Sequence, residues 1–162
     1  MDLATKKDLL KKLILELEND LERAQLVAKD SRDAAINEES KPENEYDTRA
    51  IEASYLAGAQ AHRARELEAQ IQILRLTEPR LFTNNSTIDA TALVRVLHDK
   101  DESWFFMLPQ GGGKVLKWGS KAISILTPQS PLAQEILGLR VGDTAFLQKK
   151  DRVVEVEILS IY

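Results

Sequence analysis

Apolar residues recur at alternating steps of three and four over residues 1–76, which is the heptad pattern of a coiled coil. Before residue 77 the only glycine is Gly58 and the only proline is Pro42, so nothing else interrupts the pattern. Two long helices are therefore predicted. The first has seam residues Leu10, Ile14, Leu17, Leu21, Ala24, Ala28, Ser31 and Ala35, and the second has Ala50, Ala53, Ala57, Gln60, Ala64, Leu67, Ile71 and Leu74.

The order of side-chain sizes along the two seams indicates how the helices pair. Seam residues run from large to small along the first helix and from small to large along the second. An antiparallel pairing matches Leu and Ile with each other at one end and Ala with Ala at the turn. We therefore expect a monomeric antiparallel hairpin with arms of about 34 residues, each on the order of 50 Å long.

The helical period is lost after residue 76, and a strand pattern replaces it. Residues 77–86 are predicted to form a linker. Residues 93–97 and 103–108 are predicted strands, and the glycines at 111–113 favour a hairpin turn. Residues 153–161 alternate apolar and acidic side chains, which predicts a final strand.

One short helix is predicted within this second part of the chain. Ser130 is a favoured N-cap residue, Pro131 suits the first helical position, and Gly138 suits the position just past the end. The predicted fold class is therefore α+β. A coiled-coil hairpin over residues 1–76 precedes the linker and a small antiparallel sheet domain over residues 87–162 with this one helix.

The turn between the two long helices carries the charge of the molecule. Residues 38–47 contain five acidic side chains and one basic one, a net charge of −4 that equals the charge of the whole chain. Ser40 and Glu43 have the spacing of a capping box, which predicts that the second helix begins at Lys41. Two interpretations stay open: a solvated capping turn, or a site that a cationic partner or metal uses.

Composition excludes several classes of protein. The chain has no cysteine, which excludes disulfides and thiolate metal sites. No apolar run approaches the length of a membrane span, and no signal segment is present, so a cytoplasmic protein is expected. The acidic total argues against broad, unaided binding to nucleic acid, which requires clustered Lys and Arg.

Catalytic motifs are not recognised. The Gly111-Gly112-Gly113-Lys114 stretch lacks the spacing of a phosphate-binding loop, and His62 and His98 are isolated. An independent enzyme is therefore not expected. Four aromatic residues are predicted to lie in the core, and not to form a stacking platform, because no basic residues interleave with them: Trp104, Phe105, Phe106 and Trp118.

Several segments of the chain match one known family as a set. They are Ser130-Pro131-Leu132, Gly138, Val141-Gly142-Asp143, the closing strand Val154-Glu155-Val156-Glu157-Ile158 with Tyr162, and the tip Glu43-Asn44-Glu45-Tyr46-Asp47. Together they resemble the bacterial Gre transcript-cleavage factors. The order of hairpin, linker and small sheet domain is similar to theirs over nearly the full chain. The resemblance implies an FKBP-like sheet domain that docks on RNA polymerase at the rim of its secondary channel.

The resemblance also implies how the tip would act. In Gre factors the hairpin enters the channel, and tip carboxylates help hold the second Mg²⁺ of the polymerase for hydrolysis of backtracked RNA. Glu39 and Glu43 are the implied catalytic and metal-binding residues, acting in trans. The implied binding residues around them are Glu38, Asn44, Glu45, Tyr46 and Asp47. Such a factor has no cofactor of its own, shares Mg²⁺ with the polymerase, and contacts RNA only indirectly.

The tip departs from the family pattern, in which Asp-x-x-Glu precedes Asn. Alignment on Glu43 puts Ser40 at the Asp position, and no ungapped register keeps both acids. Glu39 and Glu43 together can substitute for the pair, at a spacing of four. Stimulation of cleavage and a non-cleaving modulator or inhibitor therefore both stay open. A prolyl isomerase and a coiled-coil adaptor are further alternatives.

Overall fold

The computed structural model describes residues 2–39, 48–83, 85–149 and 152–162. It confirms the predicted fold class of a helical hairpin followed by a sheet with one short helix. The elements are α1 (Leu3–Glu39), α2 (Thr48–Arg75), β1 (Leu93–His98), β2 (Asp101–Met107), β3 (Val115–Trp118), β4 (Lys121–Leu126), α3 (Pro131–Ile136), β5 (Thr144–Lys149) and β6 (Arg152–Ile161).

The chain forms two compact units. The sheet unit comprises Met1–Ile14 and Ile73–Tyr162, and the hairpin unit comprises Leu15–Gln72. The first turns of α1 and the end of α2 therefore belong to the sheet unit. The domain boundaries at residues 77 and 87 that the sequence predicts stay predictions.

Burial along both helices follows the predicted seams. Every predicted seam residue of α1 is buried or half-buried, and so is each seam residue of α2 from Ala53 onward. Gln25 Nε2 donates a hydrogen bond of 3.2 Å to Glu68 Oε1, which joins the two helices within the hairpin unit. The predicted start of the second helix at Lys41 lies outside the described residues, and the structure describes α2 from Thr48.

The sheet has six strands in the order β3-β4-β2-β1-β6-β5. The prediction of a fully antiparallel sheet is wrong, because β4 pairs with β2 in parallel. The prediction of a hairpin turn at the three glycines is also wrong. The glycines connect β2 to β3, but these two strands are not neighbours in the sheet. Strand β4 lies between them and pairs with both. Gly111 and Gly113 each have a φ of 83°, which suits glycine in such a turn.

The main core of the sheet unit lies between the sheet and α3. Val94 and Val96 alternate with Arg95 along β1, so that the two valines share one face of the sheet and Arg95 the other. The valine face packs with Ala133 and Ile136 of α3. Ser130 caps α3 as predicted, because its Oγ accepts a hydrogen bond of 3.2 Å from the Ala133 N–H. Gly138 follows the helix with a φ of 83°, also as predicted.

A fully buried lysine fastens the start of α1 within the sheet unit. Lys6 has 0% exposure, and its Nζ donates to the carbonyl oxygens of Arg80 at 2.6 Å and Thr91 at 2.9 Å. The Phe82 ring lies below the ammonium at 4.5 Å. Burial, together with the nearby Arg80 charge, lowers the pKa of Lys6 to about 8. The segment predicted as a linker is thus hydrogen-bonded to α1.

Candidate functional site

The acidic tip predicted from the sequence lies almost wholly outside the described residues. Glu43, Asn44, Glu45, Tyr46 and Asp47 are outside them. Glu38 and Glu39 form the last residues of α1, and the structure describes their backbone only. The assigned roles of Glu39 and Glu43 therefore stay predictions.

The hairpin packs on progressively smaller side chains toward this tip. Among the described side chains of α1 in the hairpin unit, the buried ones are Leu17, Ala24 and Ser31, in order toward the tip. Along α2 the buried side chains are correspondingly small first and large later: Ala64, Leu67, Ile71 and Leu74. The side chains packed between the two helices are therefore smallest on the tip side.

Large apolar side chains on the tip side of the hairpin unit face solvent. Tyr55 is 76% exposed, and Leu26, Ile36 and Ile51 are each more than half exposed. They do not lie on the predicted seams. A surface of this composition suits contact with another macromolecule.

Two of the segments that carry the family resemblance, the Gly-Asp turn and the closing strand, contact each other in the sheet unit. The Gly142 N–H donates a hydrogen bond of 2.9 Å to the Ile158 carbonyl, and the Ile158 N–H donates one of 2.9 Å to the Asp143 carbonyl. Asp143 also accepts a bond of 2.8 Å from the Arg140 N–H through Oδ2. The Gly-Asp turn is therefore hydrogen-bonded to the closing strand β6.

An apolar groove lies beside the start of α3. Its volume is about 430 Å³, and half-buried Leu132 and Leu147 are among its apolar lining residues. This docking groove, as we call it, is lined by His98, Phe105, Ser130, Pro131, Leu132, Leu147, Gln148, Val154 and Val156. The Ser-Pro-Leu segment of the resemblance therefore forms one wall of it.

His98 supplies a polar group to the docking groove that the sequence did not identify as functional. Its Nε2 shares a hydrogen bond of 2.9 Å with Ser103 Oγ, while its buried Nδ1 has no hydrogen-bond partner among the described residues. His98 is the last residue of β1, and an isolated histidine at a strand end was the only sequence signal. The groove can accept an apolar side chain with a polar group next to it.

The prediction for the aromatic residues is confirmed in part. Trp104 and Phe106 are buried at 8% and 0% exposure, and Phe105 packs against the core. Trp118 is only half-buried. The reason given for the prediction is wrong, because Lys121 Nζ lies over the Trp104 ring at 4.1 Å and over the Trp118 ring at 5.2 Å. Strand pairing brings together basic and aromatic residues that are separated in the sequence.

The described part of the chain lacks both a cluster of metal ligands and a membrane-spanning helix. Within it, no group of three or more His, Cys, Asp or Glu side chains could hold a metal ion. The predicted Mg²⁺ ligands belong to the tip, which that observation does not cover. None of the helices formed by the described residues combines the length and hydropathy needed to cross a bilayer.

Comparison with known proteins returns structural matches alone. No protein-family model matches the chain, and no curated protein matches it. The GreA factor homolog 1 (Gfh1) of Thermus thermophilus is 17% identical with a TM-score of 0.36, over 92% of this chain and 94% of that one. Thermus aquaticus Gfh1 is 19% identical with a TM-score of 0.38, over 96% and 95%. The elongation factor GreA/GreB of Nitrosomonas europaea is 18% identical with a TM-score of 0.36, over 60% and 78%.

Proposed function

We propose that this protein is a Gre-like transcription factor that binds RNA polymerase and inserts its hairpin into the secondary channel. The observation that carries the proposal is the hairpin itself. α1 has 37 residues, which makes it ~55 Å long, and it ends in the acidic segment at residues 38–47. Its buried side chains shrink from leucine to alanine and serine in that direction. A long helical pair that packs on small side chains next to a charged turn suits entry into a narrow channel.

The sheet unit supplies the docking part of the proposal. The docking groove presents an apolar surface, and His98 is one of its lining residues. Leu132 and Leu147 are only half-buried there, so a partner side chain that covers them gains apolar contact. The occupant we propose is the rim of the secondary channel of RNA polymerase. The Ser-Pro-Leu segment in the groove wall is also one of the segments that resemble Gre factors.

Chemistry at the tip would be supplied in trans. Mg²⁺ keeps several of its waters and needs only one or two protein carboxylates. Glu39 and Glu43 are the proposed ligands that help hold the second Mg²⁺ and orient the attacking water. The protein would therefore assist cleavage of backtracked RNA without an active site or metal of its own.

A second function is favoured by the sequence of the tip. Ser40 stands where the Gre pattern places its Asp, and no ungapped register restores both acids. Mg²⁺ demands near-ideal octahedral geometry, so a shifted carboxylate pair need not complete the metal site. The alternative is a factor that occupies the channel and modulates or inhibits polymerase without RNA cleavage.

One experiment tests both functions. Stalled, backtracked elongation complexes are incubated with saturating protein across a Mg²⁺ titration, and RNA cleavage and chain elongation are measured. Stimulated cleavage supports the first function, and slowed elongation without cleavage supports the second. Absence of binding to core polymerase in a pull-down would remove both and favour an adaptor or isomerase.

A further inference from the structure

Aromatic and cationic side chains alternate across four neighbouring strands of the sheet. The aromatic–cationic row consists of Trp118 on β3, Lys121 on β4, Trp104 on β2 and Arg95 on β1. Trp118 lies opposite Lys121 in the β3–β4 pair, and Arg95 lies opposite Trp104 in the β1–β2 pair. These strands are adjacent in the order β3-β4-β2-β1, so the row runs across the sheet from its edge.

The cations of the row are held against the indole rings. Lys121 Nζ lies 4.1 Å from the Trp104 centroid and 5.2 Å from the Trp118 centroid, and the Arg95 guanidinium lies 5.8 Å from the Trp104 centroid. Tyr162 stacks on Trp104 at 5.9 Å with an interplanar angle of 19°. Cation–π attraction restrains long side chains, so the positive charges are positioned before any ligand arrives.

A polar cavity opens beside the row. It measures about 440 Å³ and is bordered by Trp104 and Lys121 together with the hydroxyl-bearing Ser103, Ser120 and Ser124. Glu102 and Ala122 complete its lining. Ser103 lies opposite Val96 and Ser124 lies opposite Phe105, so both serines belong to the other face of the sheet. Trp104 and Lys121 are the lining residues that the cavity shares with the row.

Local charge favours a negatively charged ligand. From Ser103 to Gln134 the sequence contains three lysines and no acidic residue. Among the described residues, no carboxylate forms an ion pair with Lys121, whereas Arg95 pairs with Glu102 at 3.4 Å. Lys121 is exposed. Its charge is therefore available to a phosphate, although the chain as a whole is acidic.

We propose that the aromatic–cationic row binds single-stranded RNA. Bases stack on aromatic rings while lysines follow the phosphates, which is how many proteins hold single strands without sequence preference. Trp118 is the ring available for stacking, because it is half-buried and Trp104 is only 8% exposed. An acidic peptide without aromatic residues would use the lysine but has no ring to stack on Trp118. The choice of RNA over DNA rests on the proposed function.

The chain contains an internal reporter for this binding. Its two tryptophans are both members of the row, so selectively excited tryptophan fluorescence reports on the row alone. The probe is a fluorescein-labelled single-stranded oligouridine, titrated into the full-length protein without polymerase. We expect quenching of tryptophan fluorescence and a rise in probe anisotropy at the same protein-to-RNA ratios. We also expect affinity to fall with salt by a slope of about −0.7 per phosphate contact.

Substitutions in the row test its parts. Trp118→Ala is expected to weaken RNA binding by about five- to hundredfold, as loss of one stacked base does, and Trp118→Phe is expected to restore most of it. Lys121→Gln is expected to reduce the salt slope by about 0.7. Lys100→Gln is the matched control, because it removes the same charge from an exposed turn of the sheet unit. Thermal melts of all variants check that each is folded.

Several results would overturn the proposal. The wild-type protein could fail to bind RNA. Lys100→Gln and Lys121→Gln could weaken RNA binding equally, or folded Trp118→Ala could bind RNA with unchanged affinity. Competition by polyglutamate as effective as by oligouridine would assign the row to an acidic protein segment. Equal affinity for oligothymidine would overturn the choice of RNA. None of these measurements involves polymerase, so the proposed function can stand or fall separately.

Discussion

Lys6 donates a hydrogen bond of 2.9 Å to the carbonyl oxygen of Thr91, a β-branched residue that has a φ of 66°. Such a residue rarely adopts the left-handed region. Thr91 is held there from two sides, since its Oγ1 also accepts a bond of 3.0 Å from the Arg80 N–H. One buried ammonium thereby joins the N-terminal turn of α1 to the segment before β1 and to the start of the sheet.

Burial of this ammonium predicts a pH-dependent stability. The pKa of Lys6 falls from 10.5 to about 8 on folding, so between these values the unfolded chain binds more protons than the folded chain. The free energy of unfolding contributed by Lys6 should therefore rise with pH from about 8 to 10.5. Lys6→Met removes that contribution. Chemical denaturation of both proteins across this range measures it, and a constant difference between them would contradict the prediction.

The predicted seam of the hairpin unit can be tested by cavity formation. Leu17 and Leu67 are 2% and 5% exposed, so replacement of either by alanine should cost about 2–4 kcal/mol of unfolding free energy. Leu26 on the same helix as Leu17 is 59% exposed, and Leu26→Ala should cost less than about 0.5 kcal/mol. Denaturation followed by helical circular dichroism measures all three. Equal costs for Leu17→Ala and Leu26→Ala would show that the seam is misassigned.

The hairpin is expected to be monomeric. Its seams are matched in size within one chain, so a second chain is not needed to bury them. Its melting temperature should therefore not depend on protein concentration. A melting temperature that rises with concentration would instead indicate an intermolecular coiled coil.

Two glycines with the same backbone angle should respond differently to alanine. Gly111 and Gly113 both have a φ of 83°, but a Cβ at Gly111 would lie 2.8 Å from Leu13 Cδ2, whereas none of the described atoms lies within 4 Å of one at Gly113. Gly111→Ala should therefore be the more destabilising change. The excess should shrink in a Leu13→Ala background, which removes the clashing methyl groups. A double-mutant cycle measures this coupling, and zero coupling would contradict the contact.

Substitutions at two neighbouring residues of β5 can separate an effect on docking from an effect on stability. Leu147 lines the docking groove, while Phe146 is 62% exposed and points to the other face of the strand. Leu147→Gln is expected to weaken binding to core polymerase at least tenfold, and Phe146→Gln to leave it nearly unchanged. Pull-down titrations with melting-temperature controls measure both. The reverse order of effects would move the docking surface to the opposite face.

The tip residues should affect cleavage and not affinity. If wild-type protein stimulates cleavage of backtracked RNA, Glu39→Gln and Glu43→Gln should abolish it, because Gln does not provide the charged ligand that Mg²⁺ prefers. Gln at position 43 can still close a capping box. Glu22→Gln, an exposed change elsewhere on α1, is the control. Equal cleavage by all variants would leave these acids as solvated capping residues.

Much of the fold could be predicted because it depends on local patterns. The seams, the cap at Ser130 and the closing strand each depend on side-chain spacing or on one special residue. The parallel β2–β4 pair could not be predicted, since pairing between distant strands leaves no periodic signal in either. The aromatic–cationic row could not be predicted for the same reason, because its members become neighbours only when the sheet forms. The burial of Lys6 could not be predicted, because a lysine at that position fits an exposed helix face equally well.

The position of Lys6 limits how this protein can be divided in the laboratory. A fragment starting at residue 77 would lose Lys6, and with it the donor to Arg80 and Thr91. It would also lose Leu9 and Leu13, which are buried in the sheet unit. Chimeras that exchange hairpins between related proteins should therefore join near Ile14 on α1 and Ile73 on α2. In this chain the segment to exchange is the hairpin unit, and the start of α1 and the end of α2 must stay with the sheet unit.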